Sequence, residues 1–445
     1  LKTLLARKGI TCIAQMKRWN NRMAWILLLV SFPIALGARV RQSALRSNKV
    51  EKTGSDLHSY TFFQFTKDFD RSYEAGTAEY RKRALLFQQS LNRIVTLQAK
   101  NAQEGKPWTP GIHPFMDWAL EERQTLHGYK PSWKRHHVAT AALQLEATGQ
   151  NSQKMNLSTF EDAYIGEGVS HRNQGQCGSC WAISSAEAVE AQLRKQGLDV
   201  QVSAQALVDC VPNPHHCGGT GGCDGATGEL AYTFMQQYGI PLESELPYRK
   251  SSMFGGDSQE PAACAMQSGA SSYPAKRRVT LDGWDALPSN RADNLKQALV
   301  QEGAVVVAVD AHNWFDYSHG IFDDCSKDAT LGHAVLAKGY GKDDVEGGTF
   351  KKYWLIQNSW SGGWGENGDI RLLRHDDDDS WCGTDSEPQK GVGCDGGPSS
   401  VQVCGMCGVL FDSLVPKGVR IVNDDGTGTK APITEADYTP WKPAP

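Results

Sequence analysis

The sequence carries no excess of positive charge. Lys and Arg number 46 against 50 Asp and Glu in 445 residues, a net charge of −4, which excludes a protein drawn onto nucleic acid or an anionic membrane by its field. No stretch reaches the run of about 20 apolar residues that a membrane-spanning helix needs. There is no internal repeat, and the glycine run 218–222 lacks the Lys-Ser or Lys-Thr of a phosphate loop. Apolar residues are not scarce: 40% hydrophobic and 22% charged exclude a disordered or fibrous chain. What the chain has in quantity is cysteine, 12 residues, all but Cys12 falling from Cys177 onward. That concentration points to an oxidising compartment and a disulfide framework.

Near the start, Lys17, Arg18 and Arg22 precede a short apolar stretch, 24–36. Ala35-Leu36-Gly37 then offers small residues where a signal peptidase reads. Residues 1–37 are expected to be a signal peptide or leader cut before Ala38, with an uncleaved anchor as the other reading. Cys12 then falls outside the mature protein. The expected location is the secretory pathway: a lysosome, an acidic vacuole or the exterior, without stable membrane association.

From Tyr60 to about Ala102 the pattern is helical. Phe62, Phe65 and Phe69 recur at helical spacing, and Glu79, Arg83, Phe87, Ser90, Ile94 and Gln98 line one face. A polar linker follows, with a glycosylation sequon at Asn156-Leu157-Ser158. Residues 159–417 read as helical first and strand-rich later, with short apolar strands at 305–309, 333–338, 353–357 and 370–373. A helical half followed by a strand half predicts an α+β fold of two subdomains. The tail 419–445 has no apolar periodicity and reads as a loose extension. The acidic run 376–379 reads as a solvated loop, since its ligands do not alternate as a calcium site requires.

The chemistry concentrates at Gln174-Gly175-Gln176-Cys177-Gly178-Ser179-Cys180-Trp181. After Cys180, Ala182, Ala186, Val189 and Leu193 keep helical spacing, and Arg194, Lys195 and Gly197 form a stop signal. Cys180 therefore begins a helix, where free N–H groups and the dipole favour a thiolate. A nucleophile needs a base and the base an orienting group. His333 opens one predicted strand and Asn358 ends the next.

These stretches resemble the papain-like cysteine peptidases, cathepsin L-like branch, whose nucleophile signature includes Cys-Gly-Ser-Cys-Trp. The resemblance spans about 60–416. It also rests on Asn358-Ser359-Trp360 with Gly362-Gly363-Trp364-Gly365, on Gly320-Ile321-Phe322, on the ending from Cys407-Gly408 to Pro416, and on Gly111-x-His113-x-Phe115-x-Asp117. It implies a two-subdomain fold with a helical left half, a barrel-like right half and a cleft between. It also implies an inhibitory propeptide and linker over 38–152, a peptidase domain over 153–418 with an inserted cysteine-containing segment near 376–404, and an extension over 419–445.

Carried over residue by residue, the resemblance makes Cys180 the nucleophile, His333 its ion-pair partner and later proton donor, and Asn358 the group that orients the imidazole, shielded by Trp360. Gln174 and the Cys180 N–H form the oxyanion hole. Substrate contacts are implied at Gly178, Ser179, Gly225, Ala226, Ala308, Leu331, Gly332, Trp360 and Asp412. Asp412 would lie at the floor of the S2 pocket, with Ala308 and Leu331 as walls, so that S2 takes large apolar residues and also Arg or Lys.

Implied disulfides are Cys177–Cys223, Cys210–Cys264 and Cys325–Cys407. Cys217, Cys382, Cys394 and Cys404 are left with three possible connectivities. Implied partners are protein and peptide substrates, the chain's own propeptide and cystatin-like inhibitors, for a monomer without cofactor or metal.

The chain departs from the family pattern at Ser90, Gln98 and His113, where asparagine is usual, at Ala226 in the cleft's glycine pair, and at Ser361. Propeptide release on acidification is expected to involve His113 and Asp117. Two rival readings use the Cys-x-x-Cys pairs, Cys177/Cys180 as a redox dithiol or these with Cys404/Cys407 as a zinc site. Both leave His333 and Asn358 unexplained. A catalytically silent binding relative would need a lost catalytic residue, and none is lost.

Overall fold

A computed structural model describes residues 57–127, 164–166, 169–249, 263–266, 270, 272–345 and 349–423. The leader, the sequon and the tail beyond 423 lie outside them.

Helix Cys180–Lys195 is the axis of the helical half. Spacing predicts a single apolar face, yet every residue from Cys180 to Leu193 is buried. Most of its remaining side chains are small or hydrogen-bonded. Ser184 and Ser185 return their hydroxyls to the Cys180 and Trp181 carbonyls at 2.8 and 2.7 Å, and Glu190 meets Arg172 at 2.5 Å. Helices Ala204–Cys210 and Gly228–Tyr238 pack against it.

The strand half is a nine-stranded sheet. Its spatial order is Trp108–Pro110, Tyr317–Phe322, Asp369–Arg374, Thr349–Gln357, His333–Val345, Val305–Val309, Ser413–Lys417 and Gly283–Ala286, with Tyr164–Ile165 added beside His333–Val345. The four predicted strands are present, three of them longer than expected. Its core gathers Trp314, Tyr317, Tyr340, Trp354, Trp360 and Trp364.

The N-terminal segment has its own small core of Phe65, Phe87, Leu91, Ile94 and Met116. The helical stretch expected from Tyr60 is two helices, Phe62–Asp68 and Ala78–Glu104. Positive φ at Asp70 (51°) and Gly76 (87°) breaks the path between them, and Thr77 caps the second by accepting from the Tyr80 N–H. Arg83, Phe87, Ser90 and Ile94 do share the buried face, and Gln98 reaches the Pro110 carbonyl at 2.8 Å. Trp108–Pro110 pairs antiparallel with Tyr317–Phe322, extending the sheet edge. Gly320 permits that approach, because a Cβ there would lie 2.3 Å from the Pro107 carbonyl oxygen.

Two expectations need correction. The stretch read as a loose tail from 419 begins with a buried Val419 and a strand, Arg420–Asn423, paired with Arg277–Thr280; so short a run carries no detectable period. Asp378, read as solvated, is buried and accepts from Trp354 Nε1 at 2.8 Å and the His375 N–H at 2.9 Å.

Five disulfides form. Cys177–Cys223, Cys210–Cys264 and Cys325–Cys407 are those the resemblance implied, and the remaining four cysteines pair as Cys217–Cys394 and Cys382–Cys404. Cys180 is the free thiol among the described residues. With Cys177, Cys404 and Cys407 all bridged elsewhere, the dithiol and zinc-thiolate readings fail.

The Arg71–Asp117 ion pair, 3.0 Å long with both side chains inaccessible, anchors the segment's turn, and Tyr73 donates to the same carboxylate at 2.8 Å. Asp117→Ala removes the carboxylate that the buried Arg71 pairs with, an expected loss of about 3–5 kcal/mol in segment stability. Limited proteolysis of a Cys180→Ala background should show residues 57–127 cut at neutral pH in the variant and protected in the parent.

Candidate active site

No side chain caps helix Cys180–Lys195, and the Cys177–Cys223 bridge with the Gly178 N–H on the Cys223 carbonyl (2.9 Å) fixes its approach. The uncapped N–H groups are free to act on the sulfur. Burial pushes the Cys180 thiol up to about 11, while the N–H groups of Ala334, Trp181 and Cys180 pull the other way.

Across the cleft, strands His333–Val345 and Thr349–Gln357 pair antiparallel with Leu336 opposite Gln357. The start of one strand therefore lies beside the end of the next, and His333 Nε2 sits 2.9 Å from Asn358 Oδ1. Asn358 Oδ1 also accepts the Ser359 N–H at 2.8 Å, which fixes the amide's orientation. An oxygen acceptor requires the proton on Nε2, so Nδ1 carries the lone pair. Trp360 stacks on the imidazole at 5.2 Å.

Gln174 is likewise locked. Its Oε1 accepts from Ser359 Oγ at 2.7 Å, so Nε2 is the outward donor. That N–H bonds the Cys177 carbonyl at 2.9 Å and the Leu126 carbonyl of the N-terminal segment at 3.1 Å. His127, next in sequence, stands 6.2 Å from the His333 ring and 5.5 Å from Phe315. With the segment in place, burial lowers His333 to about 4, the nearby His312 charge adding to this and Asn358 opposing it. Sequence reading expects a thiolate–imidazolium pair here. The covered site instead favours the neutral thiol and neutral imidazole, because both charges would be stripped of water.

Cys180, His333, Ala226, Ala308, Leu331, Gly332 and Asp412 line one cavity of about 30 Å³. That is too little for the large side chain expected of S2. Burial raises Asp412 well above the usual carboxylate range, and the Glu229 charge adds to the effect. Gly225 borders Ala226 in a left-handed conformation, φ 90°. Ser179 is fully buried, with its hydroxyl 2.5 Å from Tyr248 Oη. Trp360 is fully buried too, stacked on Phe315 at 4.7 Å and edge-on to Phe115 of the N-terminal segment. Two residues escaped sequence reading: Ser359, which positions two amides, and Val392, which joins the cavity lining.

A model described as "Papain family cysteine protease" matches residues 165–392. The chain belongs to the papain family of cysteine proteases. Cysteine endopeptidase RepA of Oryza sativa subsp. japonica is 34% identical over 317 residues, 68% of this chain and 76% of that protein. A cathepsin L-like protein of Caenorhabditis elegans is 29% identical over 79% of this chain and 94% of its own length. The solved digestive procathepsin L 3 of Tenebrio molitor larval midgut superposes with a TM-score of 0.56 at 26% identity, covering 80% of this chain and 97% of that one. This papain-family protein is thus a cathepsin L-type cysteine endopeptidase in zymogen form, with the α+β fold and a self-inhibiting propeptide.

The propeptide's grip contains a titratable contact. His113 Nδ1 accepts the Phe115 N–H at 3.2 Å and Nε2 lies 3.0 Å from Asp316 Oδ1, so the neutral ring satisfies both. Burial lowers His113 to about 4, the Asp316 carboxylate opposing and Arg123 and Arg93 reinforcing the fall. A released His113 protonates near its ordinary 6.5 while the docked ring resists. Docking therefore weakens as pH falls through the window from 6.5 toward 4. Burial raises Asp117 while the Arg71 guanidinium opposes the rise, so its protonation works against the His113 effect. Thermal midpoints of Cys180→Ala zymogen should fall across that window, and His113→Gln should flatten the fall. Parallel curves would remove His113 from the mechanism.

Proposed function

We propose that Cys180 attacks the scissile carbonyl while His333 takes the thiol proton at Nδ1. The tetrahedral oxyanion is held by the Gln174 amide and the Cys180 N–H. Collapse expels the amine, protonated by His333, and leaves a thioester on Cys180. Water, deprotonated by the same imidazole, then releases the acid and restores the thiol. Asn358 holds the ring in the tautomer that leaves Nδ1 basic. The observation that carries this reading is the Gln174 amide, turned outward by Ser359 and already bonded to a backbone carbonyl, that of Leu126. A scissile carbonyl at that donor would sit between the thiol and imidazole walls of one cavity.

Propeptide loss returns water to the site and lowers the cost of charge. The helix N-terminus then favours the thiolate and the thiolate–imidazolium pair can form. The five disulfides support passage through the secretory pathway, and the His113 contact suits release in a lysosome-like or other acidic setting. Cystatin-like inhibitors would compete for the same cleft of a monomeric enzyme.

In S2, Asp412 stands among Ala308, Leu331 and Leu414. A cationic P2 side chain entering the opened pocket would restore its charge, so Arg or Lys is accepted beside apolar residues.

Gln174→Ala should lower kcat of the processed enzyme about 10²–10³-fold with little change in KM, the loss typical of an oxyanion donor. Cys180→Ala should abolish turnover; turnover surviving that change, or an unaltered kcat in Gln174→Ala, would overturn the assignment. Asp412→Ser should depress turnover of Arg-Arg dipeptide amides relative to Phe-Arg; an unchanged ratio would show that the carboxyl does not read P2.

A further inference from the structure

The chain leaves the large sheet at Arg374 and re-enters it at Ser413. Between these points a short hairpin, Cys382–Asp385 with Val401–Cys404, is clamped by Cys382–Cys404. The loop between its strands crosses the cleft. On the right-hand wall, Asp385, fully buried, accepts the Leu331 N–H at 3.1 Å. Gly391 lies so close to the segment leading into strand His333–Val345 that a Cβ would stand 1.9 Å from the Leu331 carbonyl oxygen. On the left-hand wall, the Gly218 N–H bonds the Gly393 carbonyl at 3.0 Å, and the Asp395 N–H bonds the His215 carbonyl at 2.9 Å. Cys217–Cys394 makes the crossing covalent. A Cβ on Gly218 would meet the Ala226 carbonyl oxygen at 2.7 Å and that of Gly391 at 3.1 Å, so strap and left wall touch beside Ala226. Val392, between the two anchor points, is buried and lines the cavity shared by Cys180, His333 and Asp412.

We infer that residues 391–394 are a specificity strap that ends the acyl-side substrate groove at S2. An extended peptide running along Ala226 away from Cys180 meets the strap where its third residue would lie. The substrate is then read at P1 and P2 only, and must turn out of the groove before P3. Val392 narrows the pocket below, which disfavours bulky P2 side chains and leaves room for slender ones, Ala and the unbranched Arg or Lys.

The inference rests on the reading of Cys180 as nucleophile, so each processed variant is first titrated with a thiol-directed alkylating agent against turnover. Loss of a titratable, turnover-linked thiol would fault that reading and not the strap. The test compares kcat/KM for aminomethylcoumarin amides of a free dipeptide, Ala-Arg, and of the same sequence extended by one and two residues at its N-terminus. Wild type should gain nothing from extension. Cys217→Ala/Cys394→Ala, which frees the strap, should gain about tenfold or more from a P3 residue, the scale expected when a blocked subsite becomes available. Val392→Gly, with both bridges intact, should raise turnover of a bulky P2 substrate relative to Ala at P2, and provides the readout if the double variant does not fold. A wild-type gain of about tenfold on extension, or the same P3 and P2 ratios in all three proteins, overturns the inference.

Discussion

The catalytic arrangement hangs on one dipeptide, Asn358-Ser359. Asn358 Oδ1 holds the imidazole, the Ser359 hydroxyl holds the Gln174 amide, and the Ser359 carbonyl accepts the Gln174 N–H at 2.9 Å. The base comes from the strand half and the oxyanion donor from the chain leading into the helical half. A single turn after strand Thr349–Gln357 sets the distance between them. Both residues are buried, so neither amide is free to flip without stranding a polar group, at a cost of about 1–3 kcal/mol. The donor and base are thus positioned before any substrate arrives, the condition under which fixed dipoles are effective.

The propeptide opposes this preorganisation in two ways. Leu126 places a backbone carbonyl on the oxyanion donor, which is steric and hydrogen-bonding competition. Phe115 and His127 also close over Trp360 and His333, and the removal of water reverses the ionisation that catalysis needs. Each effect alone would slow the enzyme; acting together they make the covered thiol a poor nucleophile and leave it nowhere to bind a carbonyl. The propeptide adds its strand Trp108–Pro110 to the peptidase sheet through backbone bonds, and it fastens ionically at Asp316, which Arg93 meets at 2.7 Å. Those two contacts differ in their response to acid, because strand pairing carries no titratable group and the cluster at Asp316 does.

Much of this was legible from residues alone. Cys180 at a helix start, His333 opening a strand and Asn358 just past the end of the next follow from periodicity and stop signals, although the strand expected at 333–338 runs on to Val345. What escaped depended on partners far away in sequence. Ser359 reads as a spacer until the chain brings Gln174, 185 positions earlier, to its hydroxyl. Ser179 sits in the nucleophile motif and yet faces Tyr248. Asp378 lies in a run of four acids, and only its contact with Trp354 distinguishes it from its neighbours. The pairing of Cys217 with Cys394 cannot be chosen from spacing, and with it the relation of the inserted segment to the cleft stays hidden.

That pairing also explains how so slight a segment keeps its place. Two strands of four residues cannot hold an independent fold, and the crossing itself buries only short side chains, Val392 and Cys394. Cross-links substitute for a core: Cys382–Cys404 closes the base and Cys217–Cys394 fastens the tip, each adding roughly 2–4 kcal/mol by restricting the unfolded chain. Gly391 and Gly393 let the backbone pass against Leu331 and the 388–389 turn where a side chain would collide. Cross-links, glycine and one apolar anchor therefore hold a strap that is thin enough to lie in the groove and too tightly bound at both ends to yield to a passing peptide.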